Sequence, residues 1–254
     1  MSNHSYDDMP AVRRSELWEI RKSPAHYLYV VTHPKEQTPA LAFGTAAHKY
    51  ILEPDEFWDE YDVAPQVDKR TKAGKEAWAA FVESLEGREP ITKADFETIV
   101  AMDEAILANP TARVLLKSGI HEVPITWRDD ATWEMCKCRP DCITELNGVK
   151  YIVDYKTTTS CEGQAFERAC RMYGYKLQAG MYTEGVFLNT FDDYRFAFVA
   201  QEKTPPYAVR VYFCTEDFVT EGTDLFHELL EIYHKCKEAG VWPGYEDKEL
   251  LGDE

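Results

Sequence analysis

The sequence predicts a mixed α/β fold: a β-sheet covered by helices and preceded by a largely helical N-terminal part. Three observations carry this. Apolar residues recur at helical spacing through about the first 118 residues. The pattern then switches to the two-residue alternation of strands between His121 and Thr157. From there helical and strand patterns alternate to the C-terminal region, an order that packs helices onto a sheet. The expected organisation is one domain over 1–254, mostly helical over about 10–118 and built on a sheet with flanking helices over about 119–245.

Each element has a local reason. Leu17, Trp18 and Ile20, then Tyr27, Leu28 and Val31, give two short amphipathic stretches, with Ser23 as N-cap and Pro24 at the first helical position of the second. Ala40 to Leu52 reads as a third helix, carrying Phe43, His48 and Ile51. Ala73 to Leu85 reads as a fourth, with Ala77, Trp78, Phe81, Val82 and Leu85 as its apolar stripe. Thr92 caps a fifth, whose expected buried stripe is Phe96, Ile99, Val100, Ile106 and Leu107, and Pro110 opens a sixth. An antiparallel meander is expected next: His121–Trp127, Thr132–Cys138, Asp141–Leu146 and Val149–Thr157. Helices over Glu162–Met172 and Tyr175–Leu188 follow, then strands Tyr194–Gln201 and Ala208–Phe213. Thr215 caps a last helix with Phe218, Leu225, Leu229, Ile232 and Tyr233 inward. Residues 1–9 and 245–254 read as frayed ends.

Composition bounds the function. With 44 % hydrophobic and 29 % charged residues the chain is not disordered, and 13 Gly with 13 Pro leave no collagen-like or low-complexity reading. Forty-five acidic against 28 basic side chains give a net charge of −17, which excludes a packer coated in basic surface and suits a protein that holds hard divalent cations. No run approaches the roughly 18 apolar residues of a membrane span, and Met1–Asp8 has no apolar signal core, so a cytoplasmic protein with no membrane partner is expected. The seven cysteines show no disulfide framework. Cys136, Cys138 and Cys142 lack zinc-type spacing, and with only Cys214 and Cys236 late in the chain an iron–sulfur arrangement is not expected either; buried thiols are.

One hairpin carries chemistry. Asn147-Gly148 is a strong two-residue turn signal, and it fixes the register: Leu146 faces Val149, Glu145 faces Lys150, Ile143 faces Ile152, Asp141 faces Asp154 and Arg139 faces Lys156. Opposed like charges destabilise a sheet. Two facing aspartates are tolerated where a cation sits between them, and oxygen ligands suit Mg²⁺. Lys156, two residues beyond Asp154, points into the same space. The bland alternative is a turn-capping Asp141 and an exposed Asp154–Lys156 edge; the facing register favours the metal.

Pro140-Asp141 followed by Asp154-Tyr155-Lys156 resembles the PD-(D/E)xK nuclease signature, and more specifically the exonuclease VIII (RecE-type) exonuclease domain of the RecB-like group. Ser23-Pro24-Ala25-His26-Tyr27, Phe43-Gly44-Thr45-Ala46-Ala47-His48, Arg70-Thr71-Lys72-Ala73-Gly74-Lys75 and Gln178 with Tyr182 match as well, over about residues 10–245. The resemblance implies a restriction-endonuclease-like mixed sheet. It implies metal ligation by His48, Asp141, Asp154 and the Tyr155 carbonyl, with Lys156 as the catalytic lysine. Gln178 and Tyr182, on one helical face, fall beside the scissile phosphate. Glu122 is a candidate for a second metal or its water shell, an exposed strand glutamate being the alternative. Lys69, Arg70, Lys72 and Lys75 form the best local cluster for DNA phosphates, a solvated helix end being the other meaning; Arg13, Arg14, Arg168 and Arg171 are further candidates.

The activity implied is Mg²⁺-dependent hydrolysis (Mn²⁺ substituting) of linear double-stranded DNA, 5′ to 3′, in phage-type recombination. The resemblance further implies a ring-shaped homo-oligomer and a single-strand annealing partner, in the cytoplasm of a bacterial host of a phage or prophage. An endonuclease, a single-strand nuclease and a catalytically silent DNA-binding module are the alternatives.

Overall fold

The structure is a computed structural model that describes residues 6, 8–33 and 37–247. Of the segments expected to fray, 1–5, 7 and 248–254 lie outside the described residues. Tyr6 is not loose: it is buried, and its carbonyl accepts a hydrogen bond from Lys137 Nζ at 2.8 Å.

In chain order the elements are β1 (Val12–Arg13), α1 (Arg14–Ile20), α2 (Pro24–Thr32), α3 (Pro39–Leu52), α4 (Pro54–Glu60), β2 (Tyr61–Val63), α5 (Lys72–Ser84), β3 (Glu89–Ile91), α6 (Lys93–Ala108) and α7 (Pro110–Lys117). Then come β4 (Ile120–His121), β5 (Ile125–Arg128), β6 (Met135–Cys138), β7 (Cys142–Leu146), β8 (Val149–Thr158), α8 (Gly163–Tyr173), α9 (Tyr175–Thr190), β9 (Arg195–Glu202), β10 (Val209–Phe213) and α10 (Glu216–Ala239). Two helix starts expected from capping residues are formed by them, Thr92 accepting from the Asp95 N–H and Thr215 from the Phe218 N–H. Ser23, by contrast, precedes its helix without a capping bond, its hydroxyl meeting His26 Nδ1 at 2.7 Å instead. The short α4, β1, β2 and β3 carried no sequence signal strong enough to place them.

The main sheet has the order β10-β9-β8-β7-β4; β8 and β9 run parallel and the other neighbours antiparallel. The parallel pair is buried on both faces. On one face Ile152, Phe196 and Phe198 pack with α1, α9 and α10. On the other, Val153, Tyr155, Ala197 and Val199 pack with α3, α6 and α7. The mixed sheet between helices is thus the expected fold class.

The expected single meander is corrected. Its first strand breaks: Glu122 takes a left-handed backbone (φ 51°), and Pro124 has no N–H with which to continue the ladder. β4 stays on the main sheet against β7, while β5 and β6 form a separate three-stranded sheet with β1. Two expected apolar stripes are also corrected. In α6, Met102 is buried and Leu107 is 43 % exposed. Within α5 the buried residue is Gly74, and Val82 is exposed; of the expected stripe Leu85, just past the helix end, is buried. Gly74 lets the preceding loop close on the helix start, since a Cβ there would lie 2.0 Å from the Asp68 carbonyl oxygen.

α9 reaches the sheet because it crosses α10 at two glycines. A Cβ at Gly180 would sit 2.1 Å from the Thr223 nitrogen, and one at Gly222 would sit 2.0 Å from the Lys176 carbonyl oxygen. Gly180 lies between Gln178 and Tyr182, so this contact sets the depth of both side chains. Gly222→Ala is therefore expected to destabilise the protein by about 1–3 kcal/mol through overpacking, read as a lower urea midpoint; an unchanged midpoint would contradict the close crossing.

Candidate active site

The hairpin has the register its turn demands. Asn147 and Gly148 both have positive φ (53° and 77°), as a type I′ turn requires, and the ladder pairs Leu146 with Val149, Glu145 with Lys150 and Ile143 with Ile152. It ends at Cys142 opposite Val153. Asp141 therefore stands just outside the strand, and the expected Arg139–Lys156 pairing is not made. Arg139 instead turns to Glu122, Nε to Oε2 at 2.7 Å. Freed from the ladder, the Asp141 carboxylate accepts the Tyr155 backbone N–H on Oδ2 at 2.6 Å.

Asp154 is 2 % exposed and lies on the sheet face that α9 covers. The Gln178 amide donates to its Oδ2, and the Lys156 ammonium contacts its Oδ1. That buried Oδ1 thus has the Lys156 ammonium as its partner. Asp141 carries the strain of this crowding: burial raises its carboxyl well above the usual range, and the charges of Asp154 and Glu122 raise it further against the opposing Lys156. Burial likewise pushes Glu122 up to about 7, against the pull of Arg139. Glu122 is paired with Arg139 and Asp154 with Lys156, so three carboxylates share two side-chain cations, an excess of oxygen donors and negative charge that suits a hard divalent cation.

His48 completes the set from the opposite layer. α3 brings its Nδ1 to 3.6 Å from Asp141 Oδ2, with its ring 4.9 Å from that of Tyr155. Burial, then the Lys156 charge, lower its pKa to about 4. The imidazole is thus neutral at neutral pH and keeps a lone pair for a metal. The helix itself is clamped by the neighbouring Lys49, a buried ammonium held by Glu53, Glu56 and Glu60 at 2.9, 2.7 and 2.9 Å. Tyr155 buries its ring beneath this layer, its hydroxyl donating to Gln201 Oε1 at 2.6 Å.

A cleft of about 500 Å³ opens over these groups, lined by His48, Glu122, Asp141 and Tyr182 together with Arg14 and Arg139. The structure thus brings together His48, Glu122, Asp141, Asp154, Tyr155, Lys156, Gln178 and Tyr182. It does not bring the basic cluster. Lys69, Arg70, Lys72 and Lys75 lie outside the cleft lining. Arg70 is held by Asp68 at 2.9 Å, Lys69 sits over the Trp78 ring, and Thr71 satisfies the helix-end N–H of Gly74.

Two contacts had no signal in the sequence, although Arg14 itself is a candidate for phosphate. Arg14 donates to Gln178 Oε1 at 3.3 Å, which turns the amide so that its NH₂ faces Asp154. Tyr175 lies under Lys156, ring centroid 4.9 Å from the ammonium. Each contact joins residues on different elements, which spacing along the chain does not reveal. Elsewhere, Asp129, Glu184 and His227 hold donor atoms within 4.8 Å of one another. They are already mutually paired, His227 reaching Glu184 at 2.8 Å and Asp129 at 3.5 Å, while Thr132 donates twice to Asp129. All seven cysteines are free, and burial pushes the Cys142 thiol up to about 12.

Two carboxylates meeting at the mouth of a hairpin, with a lysine two residues after the second, on a mixed sheet between helices, define a PD-(D/E)xK-type site. The chain belongs to the family described as a PDDEXK-like domain of unknown function (DUF3799), which matches residues 14–251. Among solved structures it is similar to the crystal structure of a "putative exonuclease" from Eubacterium rectale, with a TM-score of 0.65 and 16 % identity over 95 % of this chain and 88 % of that one. A match to the crystal structure of SSO0001 covers 91 % of this chain and 82 % of that one at 11 % identity, with a TM-score of 0.38, too slight to bear on the fold. No curated protein matches the sequence.

If the carboxylates repel as placed, Asp141→Asn raises the denaturation midpoint measured in EDTA. It also removes the stabilisation that millimolar Mn²⁺ gives the wild type. An unchanged Mn²⁺ shift in the variant would take Asp141 out of the metal site.

Proposed function

We propose that the protein is a divalent-metal-dependent nuclease that degrades linear double-stranded DNA from its ends, 5′ to 3′. The observation that carries this reading is the convergence of Asp141 and Asp154, close enough for the charge of one to raise the carboxyl of the other, with Lys156 ion-paired to Asp154. The PDDEXK-like family and the description of the Eubacterium rectale protein as an exonuclease support the same reading.

In this reading His48, Asp141, Asp154 and the Tyr155 carbonyl hold the ion, Mg²⁺ or Mn²⁺. When bound, the ion lowers the pKa of an attacking water and polarises the phosphoryl oxygen. The side chains do the rest. Lys156 places a fixed ammonium where negative charge grows on the phosphoryl group. Gln178, oriented by Arg14, holds the Asp154 carboxylate in one rotamer. Glu122, with its pKa near neutrality, accepts or holds a proton at its carboxylate close to the Asp141 backbone, to which its N–H donates at 3.3 Å. Tyr182 lines the cleft one helical turn from Gln178, where a phosphate lies against its ring edge. Arg14 and Arg139 supply cations in the cleft of an otherwise acidic protein.

The resemblance to exonuclease VIII extends the proposal to phage-type recombination, with a ring of identical subunits around DNA and a single-strand annealing protein taking the product strand. A bacterial cytoplasm is the matching location, and among the described residues no helix is long and apolar enough to cross a membrane.

End-labelled linear duplex with Mg²⁺ is expected to be degraded, a covalently closed circle left intact, and 5′-phosphate ends to be distinguished from 5′-hydroxyl ends. Cutting of the circle would make the protein an endonuclease. Asp154→Ala and Lys156→Ala are each expected to lower the rate by at least about 10³-fold while circular dichroism stays that of the wild type; activity retained in Asp154→Ala would end the metal-site reading.

A further inference from the structure

We propose that a groove beside the cleft, between the end of β8 and α8, receives a single strand of DNA; the proposal rests on the nuclease reading above. The groove encloses about 480 Å³. It is continuous with the active site through named contacts. Thr157 lines both concavities. Tyr175, in the groove wall, lies 4.9 Å under the Lys156 ammonium. Tyr173, also in the wall, accepts a hydrogen bond on its carbonyl from Arg14 at 2.9 Å, and Arg14 lines the cleft.

In a chain with 45 acidic and 28 basic residues, no carboxylate lines the groove, whereas Arg168 and Lys203 do. Neither of these side chains forms a hydrogen bond or an ion pair within 4.0 Å among the described residues. The neighbouring acids accept backbone N–H groups: Glu162 caps α8, accepting from Gln164 and Ala165 at 3.1 Å while feeling the Arg168 charge, and Glu202 accepts the Cys161 N–H at 3.0 Å. Two cations with no hydrogen-bonded acid, beside a hydroxyl-bearing strand end, suit phosphates.

The same wall holds exposed apolar groups: Tyr173 is 53 % exposed and Met172 64 %. The Tyr173 ring stacks on Tyr175 at 5.9 Å and 30°, which leaves a supported aromatic face at the surface. A duplex keeps its bases inside and offers only backbone to such a wall. A single strand offers both, bases to the ring and phosphates to the cations, the combination that binds strands without sequence preference. The strand in the groove is one thread of the substrate, the other being held over Asp141 and Asp154.

Fluorescence anisotropy with a labelled 12-mer of oligodeoxythymidine, in Ca²⁺ over a salt series, tests this. Arg168→Glu with Lys203→Glu is expected to weaken binding by at least about 10-fold and to flatten the log–log salt slope by about 1.4, two contacts at roughly 0.7 each. Tyr173→Ala is expected to weaken binding by about 10-fold with the slope unchanged. If charge reversal prevents folding by circular dichroism, Arg168→Gln with Lys203→Gln gives the same slope change. Degradation of linear duplex in Mg²⁺ is measured on the wild type in parallel. Wild-type protein that neither degrades nor binds DNA would end the nuclease reading and the groove with it. Wild-type degradation, with affinity and slope unaltered in the variants, would overturn the groove alone, as would an equal loss of blunt-duplex binding.

Discussion

Two buried aspartates meet at the open end of a hairpin, and much of the molecule is arranged around their repulsion. Asp141 escapes the ladder, takes the Tyr155 N–H and stands beside Asp154 with Glu122 close by. Burial of like charges destabilises the folded state unless a positive group lies among them. Lys156 supplies one such charge and Gln178 a neutral donor, which together leave the set still rich in negative charge. The surrounding fold is therefore under load at this point.

The scaffold holds that load from three sides. The type I′ turn sets which residues face each other. The crossing of α9 and α10 at Gly180 and Gly222 brings Gln178 down onto Asp154. α3, clamped to α4 by Lys49 and its three glutamates, sets His48 against Asp141 from the other face of the sheet. Each support is rigid for its own reason: two positive φ values, a contact closer than any Cβ permits, and a buried ion cluster. Preorganisation of this kind is what fixes charged groups without reorganisation when a reaction begins.

Charge is distributed to the same end. The net −17 is spread over the exterior, while the cleft carries Arg14 and Arg139 and the adjoining groove Arg168 and Lys203. An acidic exterior disfavours nonspecific contact with a polyanion, and these four cations stand beside the carboxylates of the site. The basic run Lys69, Arg70, Lys72 and Lys75 is exposed but lies outside the cleft lining, with Arg70 on Asp68 and Lys69 over Trp78.

What was legible in the sequence is what depends on short-range geometry. The Asn-Gly turn dictates register because only left-handed backbone closes a two-residue loop, so the pairs from Leu146–Val149 to Cys142–Val153 could be read from residue numbers. The ladder stops before the expected Asp141–Asp154 pair, and the two carboxylates meet by way of the Tyr155 N–H instead. Helices announced themselves by period and by caps such as Thr92 and Thr215. What only the tertiary structure decided are relations between elements: that Glu122 breaks the strand and sends β5 to a second sheet, that Arg139 pairs with Glu122 instead of facing Lys156, that Arg14 orients Gln178 across 164 residues, and that α5 buries Gly74 and exposes Val82. The reason is physical. Period and turn chemistry act over a few residues, whereas burial, ion pairing and close crossings are set by whatever the folded chain brings alongside, which no local pattern encodes.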